Sequence, residues 1–295
     1  MKDDTIYRSA EGKAKIIALY DKFLSRFDIQ HEEVNIETRY GSTHVLVIGP
    51  KNGPPLIFFH GGNSLNPFDL KKFIPLANEY RIYAPDTIGH PGKSAEYRLS
   101  PKDNSYGEWA LDVLDGLKLK KAAFVGPSFG GGILLQIASF APERISAAVF
   151  IVPSGFANGS GISIIRKLVI PLMKYRLSPT RKNFEKTILP LVDHPDDDLI
   201  EMSYTTIPNL KVASRMPHPM KKKDLLEFKA PSLVIAAEND VLFPGKLVIK
   251  NAKKILPNLI SSKLLLDKPH AFYTASKQCL EEVITETREF LNNNL

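Results

Sequence analysis

The stretch that decides the fold is Ala122-Ala123-Phe124-Val125-Gly126-Pro127-Ser128-Phe129-Gly130, an apolar run followed directly by the pattern G-x-S-x-G. This order predicts a buried strand, a tight turn that exposes Ser128, and a helix that begins at once. Glycine is needed at 126 and 130 because a side chain there would collide with neighbouring backbone. The pattern alone is weak evidence, since about one random chain in ten of this length would contain it. The interpretation therefore depends on the rest of the sequence.

Other apolar runs end in residues that suit the same chemistry. Leu56 to Phe59 leads into His60-Gly61-Gly62-Asn63. Leu233 to Ala237 leads into Glu238-Asn239-Asp240, and Lys268-Pro269-His270 follows. Serine, acid and histidine in this order form the chain order of the triad in α/β-hydrolases. The chain therefore resembles the serine-nucleophile α/β-hydrolases over about residues 34 to 291, apart from a freer middle stretch.

Alternation of strand-like and helical segments predicts a parallel sheet covered on both faces. A leading helix is predicted over 11–27, followed by an antiparallel hairpin of 34–39 and 44–48. Further strands are predicted at 56–59, 81–84, 122–125, 147–152, 232–237 and 263–266, with helices at 70–80, 106–117, 129–140, 245–256 and 277–291. The predicted fold class is α/β, an α/β-hydrolase fold with a mostly parallel eight-stranded sheet.

The alternation stops after Val152, and residues 153–228 contain no strand-like run. Helices are predicted there at 162–177, 180–191 and 197–203. The resemblance implies that an insertion at this point is a helical cap, which gives domains of 1–152 with 229–295 for the core and 153–228 for the cap. Apolar cap residues either line an acyl or alcohol pocket or pack the cap on the core: Ile162, Ile164, Ile165, Leu168, Val169, Leu172 and Met173.

The resemblance assigns catalytic roles to three side chains. Ser128 is the nucleophile, and it needs a base because a free hydroxyl is a poor nucleophile at neutral pH. His270 is the predicted base, and Asp240 is the acid that orients its imidazole. Glu238 is the rival acid, and geometry has to decide between the two.

Two backbone N–H groups must stabilise the oxyanion that forms during acyl transfer. The N–H of Phe129, the first residue after the nucleophile, is one predicted donor. Gly62 matches the family position for the second, with Asn63 as an alternative. His60 is expected to brace this loop.

A second loop, Asp86-Thr87-Ile88-Gly89-His90-Pro91-Gly92-Lys93-Ser94, resembles the family pattern Asp-x-x-Gly-x-Gly-x-Ser with one extra residue. Asp86 and Ser94 are expected to stabilise it, and His90 to serve as scaffold. The chain departs from the family at Pro127, which has no backbone donor and a fixed φ. A different pocket shape beside the nucleophile is expected.

Composition limits the other functional classes. The net charge of +7 suggests nucleic acid, but Lys221-Lys222-Lys223 is the only tight basic run, and a solvated loop or helix start explains it, so no nucleic-acid partner is predicted. No apolar stretch approaches the length of a membrane span. The single cysteine, Cys279, and the absence of a recognisable leader agree with a cytoplasmic location. His194 among four aspartates suits a polar loop better than a metal cage, and neither metal nor cofactor is expected.

The predicted function is a serine hydrolase that cleaves small-molecule carboxylic esters through an acyl-enzyme. Among serine members the chain resembles bacterial carboxylesterases that hydrolyse naproxen esters. The matching scaffold stretches are Ser42-Thr43-His44-Val45, Pro54-Pro55-Leu56, Tyr80-Arg81-Ile82-Tyr83-Ala84 and Leu111-Asp112-Val113-Leu114-Asp115. The alternatives are a C–C bond hydrolase, an iminopeptidase, a perhydrolase, or a non-catalytic ligand receptor. The sequence indicates neither the natural ester nor the oligomeric state.

Overall fold

The structure, a computed structural model, describes residues 5–212, 217–274 and 276–295. Residues 1–4 and 275 of the predicted core and 213–216 of the predicted cap lie outside the described residues. The strands are β1 His31–Thr38, β2 Gly41–Ile48, β3 Pro55–Phe58, β4 Arg81–Pro85, β5 Ala122–Pro127, β6 Ile145–Ile151, β7 Ser232–Ala237 and β8 Leu259–Leu265.

These strands form one eight-stranded sheet in the order β1-β2-β4-β3-β5-β6-β7-β8. Strand β2 pairs antiparallel with β1 and β4, and the remaining neighbours pair in parallel. The predicted mostly parallel eight-stranded sheet and its leading hairpin are confirmed.

Ten α-helices can be assigned within the described residues, and four of them lie between β6 and β7. They are α1 Ala10–Leu24, α2 Asn66–Leu70, α3 Ser105–Gly116, α4 Phe129–Phe140, α5 Gly161–Ile164, α6 Ile170–Leu177, α7 Arg181–Ile188, α8 Asp197–Asn209, α9 Gly245–Ile255 and α10 Lys277–Asn294. A π-helical turn, Ile165–Val169, joins α5 to α6, so residues 161–177 form one continuous helical segment. No helix in this described part is long and apolar enough to cross a membrane.

Several predicted boundaries are wrong, and local chemistry explains two of them. The helix predicted at 70–80 starts earlier, as α2 with Pro67 in its first turn, and continues as a 3₁₀ helix, Lys71–Asn78, that contains Pro75. Proline suits a first turn but disrupts the hydrogen-bond ladder of a helix interior. Strand β8 begins four residues before the predicted strand at 263–266, because its polar start, Ser261-Ser262, hides the pattern.

The core consists of two apolar layers, one on each face of the sheet. Along β7, Leu233 and Ile235 belong to one layer, while Val234 and Ala236 belong to the other. Successive side chains of a strand point to opposite faces, so a strand covered on both sides is apolar throughout. The ends of β3, β5, β7 and β8 lead into the loops that carry the predicted site residues, and parallel strands place these loops at one edge of the sheet.

Candidate active site

The turn after β5 holds Ser128 in a strained conformation. Its φ of 51° and ψ of −115° lie outside the regions that L-residues prefer. Its N–H donates to the Ile151 carbonyl at 2.9 Å, and its carbonyl accepts the Ser154 N–H at 3.0 Å. A Cβ on Gly126 would lie 2.7 Å from the Gly130 carbonyl carbon, and one on Gly130 would lie 2.4 Å from the Phe59 carbonyl oxygen. The predicted need for both glycines is therefore confirmed.

Three side chains from distant parts of the chain meet at this turn. The Ser128 Oγ lies 3.0 Å from Nε2 of His270. Nδ1 of His270 lies 2.7 Å from Oδ2 of Asp240. The other Asp240 oxygen, Oδ1, accepts the N–H groups of Leu242 at 2.8 Å and Phe243 at 3.0 Å. This buried carboxylate is well solvated by hydrogen bonds, so it can hold Nδ1 protonated and leave Nε2 free to accept the serine proton.

Glu238, the rival acid, faces away from His270. Its carboxylate pairs with the Lys246 ammonium at 2.6 Å and accepts the N–H of Asp267 at 3.1 Å. The pKa of Glu238 is lowered by its hydrogen bond to Lys246. Of the two candidate acids, only Asp240 therefore contacts His270.

The loop after β3 contains three successive N–H groups with different partners. The N–H of Gly61 donates to Oδ2 of Asp69 at 2.9 Å, and that of Asn63 donates to Nδ1 of His90 at 3.1 Å. The N–H of Gly62, between them, has no acceptor within the described part of the chain, and neither has the N–H of Phe129 at the start of α4. A Cβ on Gly62 would lie 3.1 Å from Cβ of Phe129. Gly62 and Phe129 are therefore neighbours beside the turn that carries Ser128.

Two buried histidines shape this loop. His60 donates from Nδ1 to the Gly61 carbonyl at 2.8 Å and accepts the Thr87 N–H on Nε2 at 2.9 Å. The His90 ring lies 4.6 Å from the Phe129 ring, centroid to centroid. Burial lowers the pKa of His90 well below its usual range, so the ring is neutral and its Nδ1 can accept the Asn63 N–H. The contacts of both histidines agree with the structural role expected of them, which is to hold the loops beside the turn in place.

The loop between Asp86 and Ser94 is likewise tied down internally. Oδ1 of Asp86 accepts from the Tyr20 hydroxyl at 2.9 Å, and Oδ2 accepts the Lys93 N–H at 2.8 Å. The Ser94 hydroxyl donates to the Asp86 carbonyl at 2.7 Å. His44 Nδ1 lies 3.2 Å from the same carboxylate. These contacts agree with the stabilising role expected of Asp86 and Ser94.

A largely apolar cavity of about 440 Å³ opens beside Ser128 and His270. Core residues Pro127, Val152 and Phe272 form part of its wall. The segment between β6 and β7 supplies much of the remainder, namely Ile164, Leu168, Val169, Leu172, Thr187, Ile188, Leu191, Val192, Leu199, Met202, Ser203, Thr206, Ile207 and Leu210. Of the seven apolar cap residues singled out from the sequence, Ile162, Ile165 and Met173 are instead exposed.

The sequence reasoning missed Asp69 and Lys72 in the cavity wall. The Lys72 Nζ lies 3.3 Å from the Phe68 ring centroid, 4.3 Å from that of Tyr273, and 3.5 Å from Oδ1 of Asp69. Burial lowers the pKa of Lys72 to about 8, although Asp69 opposes this shift. No motif marks either residue, and both lie on the helical stretch whose start was misplaced.

Two aspartates of the acidic cluster around His194 have structural partners. Oδ1 of Asp196 caps α8 by accepting the Leu199 N–H at 2.7 Å, and Asp198 pairs with Arg26. No group of three or more potential metal ligands occurs among the described residues.

Comparison with known proteins agrees with this geometry. Residues 54–176 match the family model described as alpha/beta hydrolase fold. Carboxylesterase YbfK of Bacillus subtilis is 32% identical over 154 residues, which span 52% of each chain. The uncharacterized carboxylesterase nap of the same organism is 25% identical over 258 residues, 81% of each. The chain thus aligns with about half the length of the first relative and most of the second.

Solved structures match over almost the whole chain. The crystal structure of carboxylesterase CesB (YbfK) has a TM-score of 0.82 at 23% identity and covers 97% of this chain and 100% of that one. Naproxen esterase from B. subtilis has a TM-score of 0.79 at 22% identity and covers 95% and 99%. The chain therefore has the α/β-hydrolase fold, and its sequence is similar to those of Bacillus carboxylesterases.

Proposed function

We propose that this protein is a serine hydrolase that cleaves carboxylic esters of small molecules through an acyl-enzyme. The observation that carries the proposal is the unbroken chain of contacts from the Ser128 Oγ through His270 to the buried Asp240. A hydroxyl, a base and an orienting acid in this arrangement make a nucleophile at neutral pH. The similarity to carboxylesterases supports ester hydrolysis among the reactions such a triad performs.

In the acylation half-reaction, Oγ of Ser128 attacks the ester carbonyl carbon while Nε2 of His270 takes its proton. The Asp240 carboxylate stabilises the imidazolium that results. His270 then passes the proton to the leaving alkoxide, the ester C–O bond breaks, and the alcohol departs. In the second half-reaction His270 takes a proton from water, the hydroxide attacks the acyl carbon, and the acid leaves as Ser128 is reprotonated.

The developing oxyanion is held by the N–H groups of Gly62 and Phe129. Support comes from the engagement of both flanking groups, since Asp69 holds the Gly61 N–H and His90 holds the Asn63 N–H. The Phe129 N–H also begins α4, where the helix dipole favours negative charge. Losing one such donor costs roughly 3 to 4 kcal/mol of barrier stabilisation in comparable enzymes.

Residues 153–228 act as a cap whose helices enclose the substrate. The cavity volume of about 440 Å³ suits a small molecule. Its largely apolar wall favours esters with an apolar acyl or alcohol group over charged ones.

The direct test is hydrolysis of p-nitrophenyl butyrate by the protein and by Ser128→Ala. We expect the substitution to lower kcat by at least about 10⁴-fold, because the nucleophile is lost. Ser154→Ala is the matched control, since its hydroxyl touches the Ser128 carbonyl at 3.2 Å but takes no part in the proton transfer. It should retain activity within about tenfold. Full activity in Ser128→Ala would place the nucleophile elsewhere.

A further inference from the structure

The helical segment 161–177 exposes an unusual row of large apolar side chains. Five of them recur at intervals of three and four residues, which places them along one side of the helix, and Ile170 adjoins Val169 on that side. Their exposed fractions run from 40% to 86%. The residues are Ile162, Ile165, Val169, Ile170, Met173 and Leu177. We call these six residues the outer face.

The opposite side of the same segment faces the cavity. Ile164, Leu168 and Leu172 line it and are half-buried, and Val169 lies at the border, 40% exposed and also part of the cavity wall. The segment is therefore apolar on both sides, one towards the substrate and one towards solvent. A surface helix normally turns charged and polar residues outwards, and a contiguous exposed apolar patch marks an interaction site.

The charges of the segment are all of one sign. Arg166, Lys167, Lys174 and Arg176 are exposed, and no Asp or Glu occurs from 161 to 177. None of the ion pairs found within the described residues includes these four side chains. An apolar face flanked by unpaired basic residues suits a surface with an apolar interior and anionic groups at its boundary with water.

We propose that the outer face docks the protein on an anionic lipid surface, with the four basic residues contacting the head groups. A second copy of the chain is a poorer occupant. A two-fold dimer would set the same patch against itself and bring these cations together with no acidic residue of the segment between them. An anionic lipid surface satisfies the apolar and the basic groups at once.

Docking in this way has a consequence for the cavity. The helix that rests on the lipid is also a cavity wall, through Leu168 and Leu172. Apolar esters dissolved in the bilayer would then be presented next to the cavity rather than diffusing to it from water. The docking surface involves neither Ser128 nor His270, so it does not depend on the proposed hydrolysis.

The test measures co-sedimentation with vesicles of phosphatidylcholine containing 30% phosphatidylserine, compared with vesicles of phosphatidylcholine alone. The full chain carrying Ser128→Ala is used, so lipid binding is measured without turnover. We expect binding to the anionic vesicles that is at least tenfold tighter than to the neutral ones and that weakens as salt is raised. Equal affinity for the two vesicles, or no binding, would overturn the proposal.

Two variants test the assignment to the outer face. Ile162→Ser with Met173→Ser and Leu177→Ser removes apolar contact, and Lys167→Glu with Lys174→Glu reverses charge. Each should lower affinity for anionic vesicles at least tenfold. None of these residues lines the cavity, so hydrolysis of water-soluble p-nitrophenyl acetate, measured with Ser128 restored, should be unchanged.

Matched controls lie outside the helical segment 161–177. Leu226→Ser with Ile260→Ser and Leu266→Ser removes three other exposed apolar side chains, and Lys253→Glu with Lys254→Glu reverses two exposed charges on α9. Both should bind vesicles like the parent chain. A parent that elutes as a dimer, with the outer-face serine variant eluting as a monomer, would assign this surface to self-association and refute lipid docking.

Discussion

The loops at the edge of the sheet where Ser128, Asp240 and His270 lie are called the rim. The rim and the helical segment 161–177 face each other across one cavity, yet they are built in opposite ways. At the rim, the carboxylates of Asp240 and Asp86 are buried, and each accepts several hydrogen bonds. In the segment, only Tyr175 is buried, and its other large side chains are half-buried or exposed. At the rim, hydrogen bonds and close packing determine which residue can occupy a position. In the segment, most positions require only an apolar residue.

This difference separates two tasks. Chemistry requires atoms to be held within a fraction of an ångström, and buried hydrogen bonds on rigid strand ends provide this. Selection of an apolar substrate requires only shape and hydrophobicity, which a partly exposed apolar helix can supply. Substitutions at the rim should therefore change kcat strongly, and substitutions in the segment should change substrate preference weakly.

The largest effect is expected at the two neighbouring acids after β7. Asp240→Asn should lower kcat by about 10⁴-fold, because an amide disfavours the His270 tautomer that accepts the serine proton. Glu238→Gln should leave kcat within about twofold, since its carboxylate contacts Lys246 and Asp267. Steady-state hydrolysis of p-nitrophenyl butyrate measures both, and the reverse ranking would mean that Glu238 is the functional acid.

A smaller effect is expected from Asp69, a positioning residue that holds the Gly61 N–H. Asp69→Ala should release this loop and displace the Gly62 N–H, which lowers kcat by up to about 10²-fold with little change in KM. Asp69→Asn keeps an oxygen acceptor and should restore most of the loss. An unchanged kcat in Asp69→Ala, or no rescue by asparagine, would show that this contact does not align the oxyanion site.

A still smaller effect is expected in the helical segment. Leu172→Ala enlarges the cavity and should lower kcat/KM for p-nitrophenyl butyrate by about tenfold, with less effect on the acetate. Ile165→Ala, about two helical turns away on the outer face, is the control and should leave both esters unaffected. Equal losses for the two esters would show that Leu172 supports the fold and not the choice of acyl chain.

The smallest effect concerns stability at the rim. Burial disfavours the charged form of His44, but hydrogen bonds to Asp86 and Glu33 outweigh it and raise the pKa of His44. A raised pKa stabilises the fold at pH below the unfolded value of about 6.5, and this contribution is lost as pH rises through the folded value.

We therefore expect Tm to fall more steeply between pH 6 and pH 9 in the parent than in His44→Gln. The difference should amount to a few degrees, since about 1 kcal/mol shifts Tm by about 2–4 °C in chains of 150–250 residues and by no more in a longer one. Thermal unfolding followed by circular dichroism measures it. Parallel profiles in the two proteins would mean that the ion pair adds no stability.

The sequence predicts the rim better than the segment for a physical reason. Ser128 is identified because the turn that carries it excludes side chains at Gly126 and Gly130, and that exclusion leaves a readable pattern. The resemblance favours Asp240 over Glu238, but the sequence cannot show which way these two nearby carboxylates point. Asp69 could not be found from the sequence, because a single carboxylate that accepts one backbone N–H produces no motif or periodic pattern.

In the segment the limit is different. Periodicity predicts a helix correctly over 162–177, but both sides of that helix are apolar. An apolar residue facing the cavity and one facing solvent look the same in sequence. Only the fold separates Leu168 and Leu172, which line the cavity, from Met173, which does not.

The most direct test of the account is covalent labelling by a p-nitrophenyl alkylphosphonate, which mimics the tetrahedral intermediate and reacts with an activated serine. We predict that the intact mass rises by one phosphonyl group per chain, that the label lies on the peptide containing Ser128, and that Asp240→Asn reacts far more slowly. An unlabelled chain under conditions that label a known serine esterase, or a label on another residue, would contradict the claim that Ser128 is an activated nucleophile.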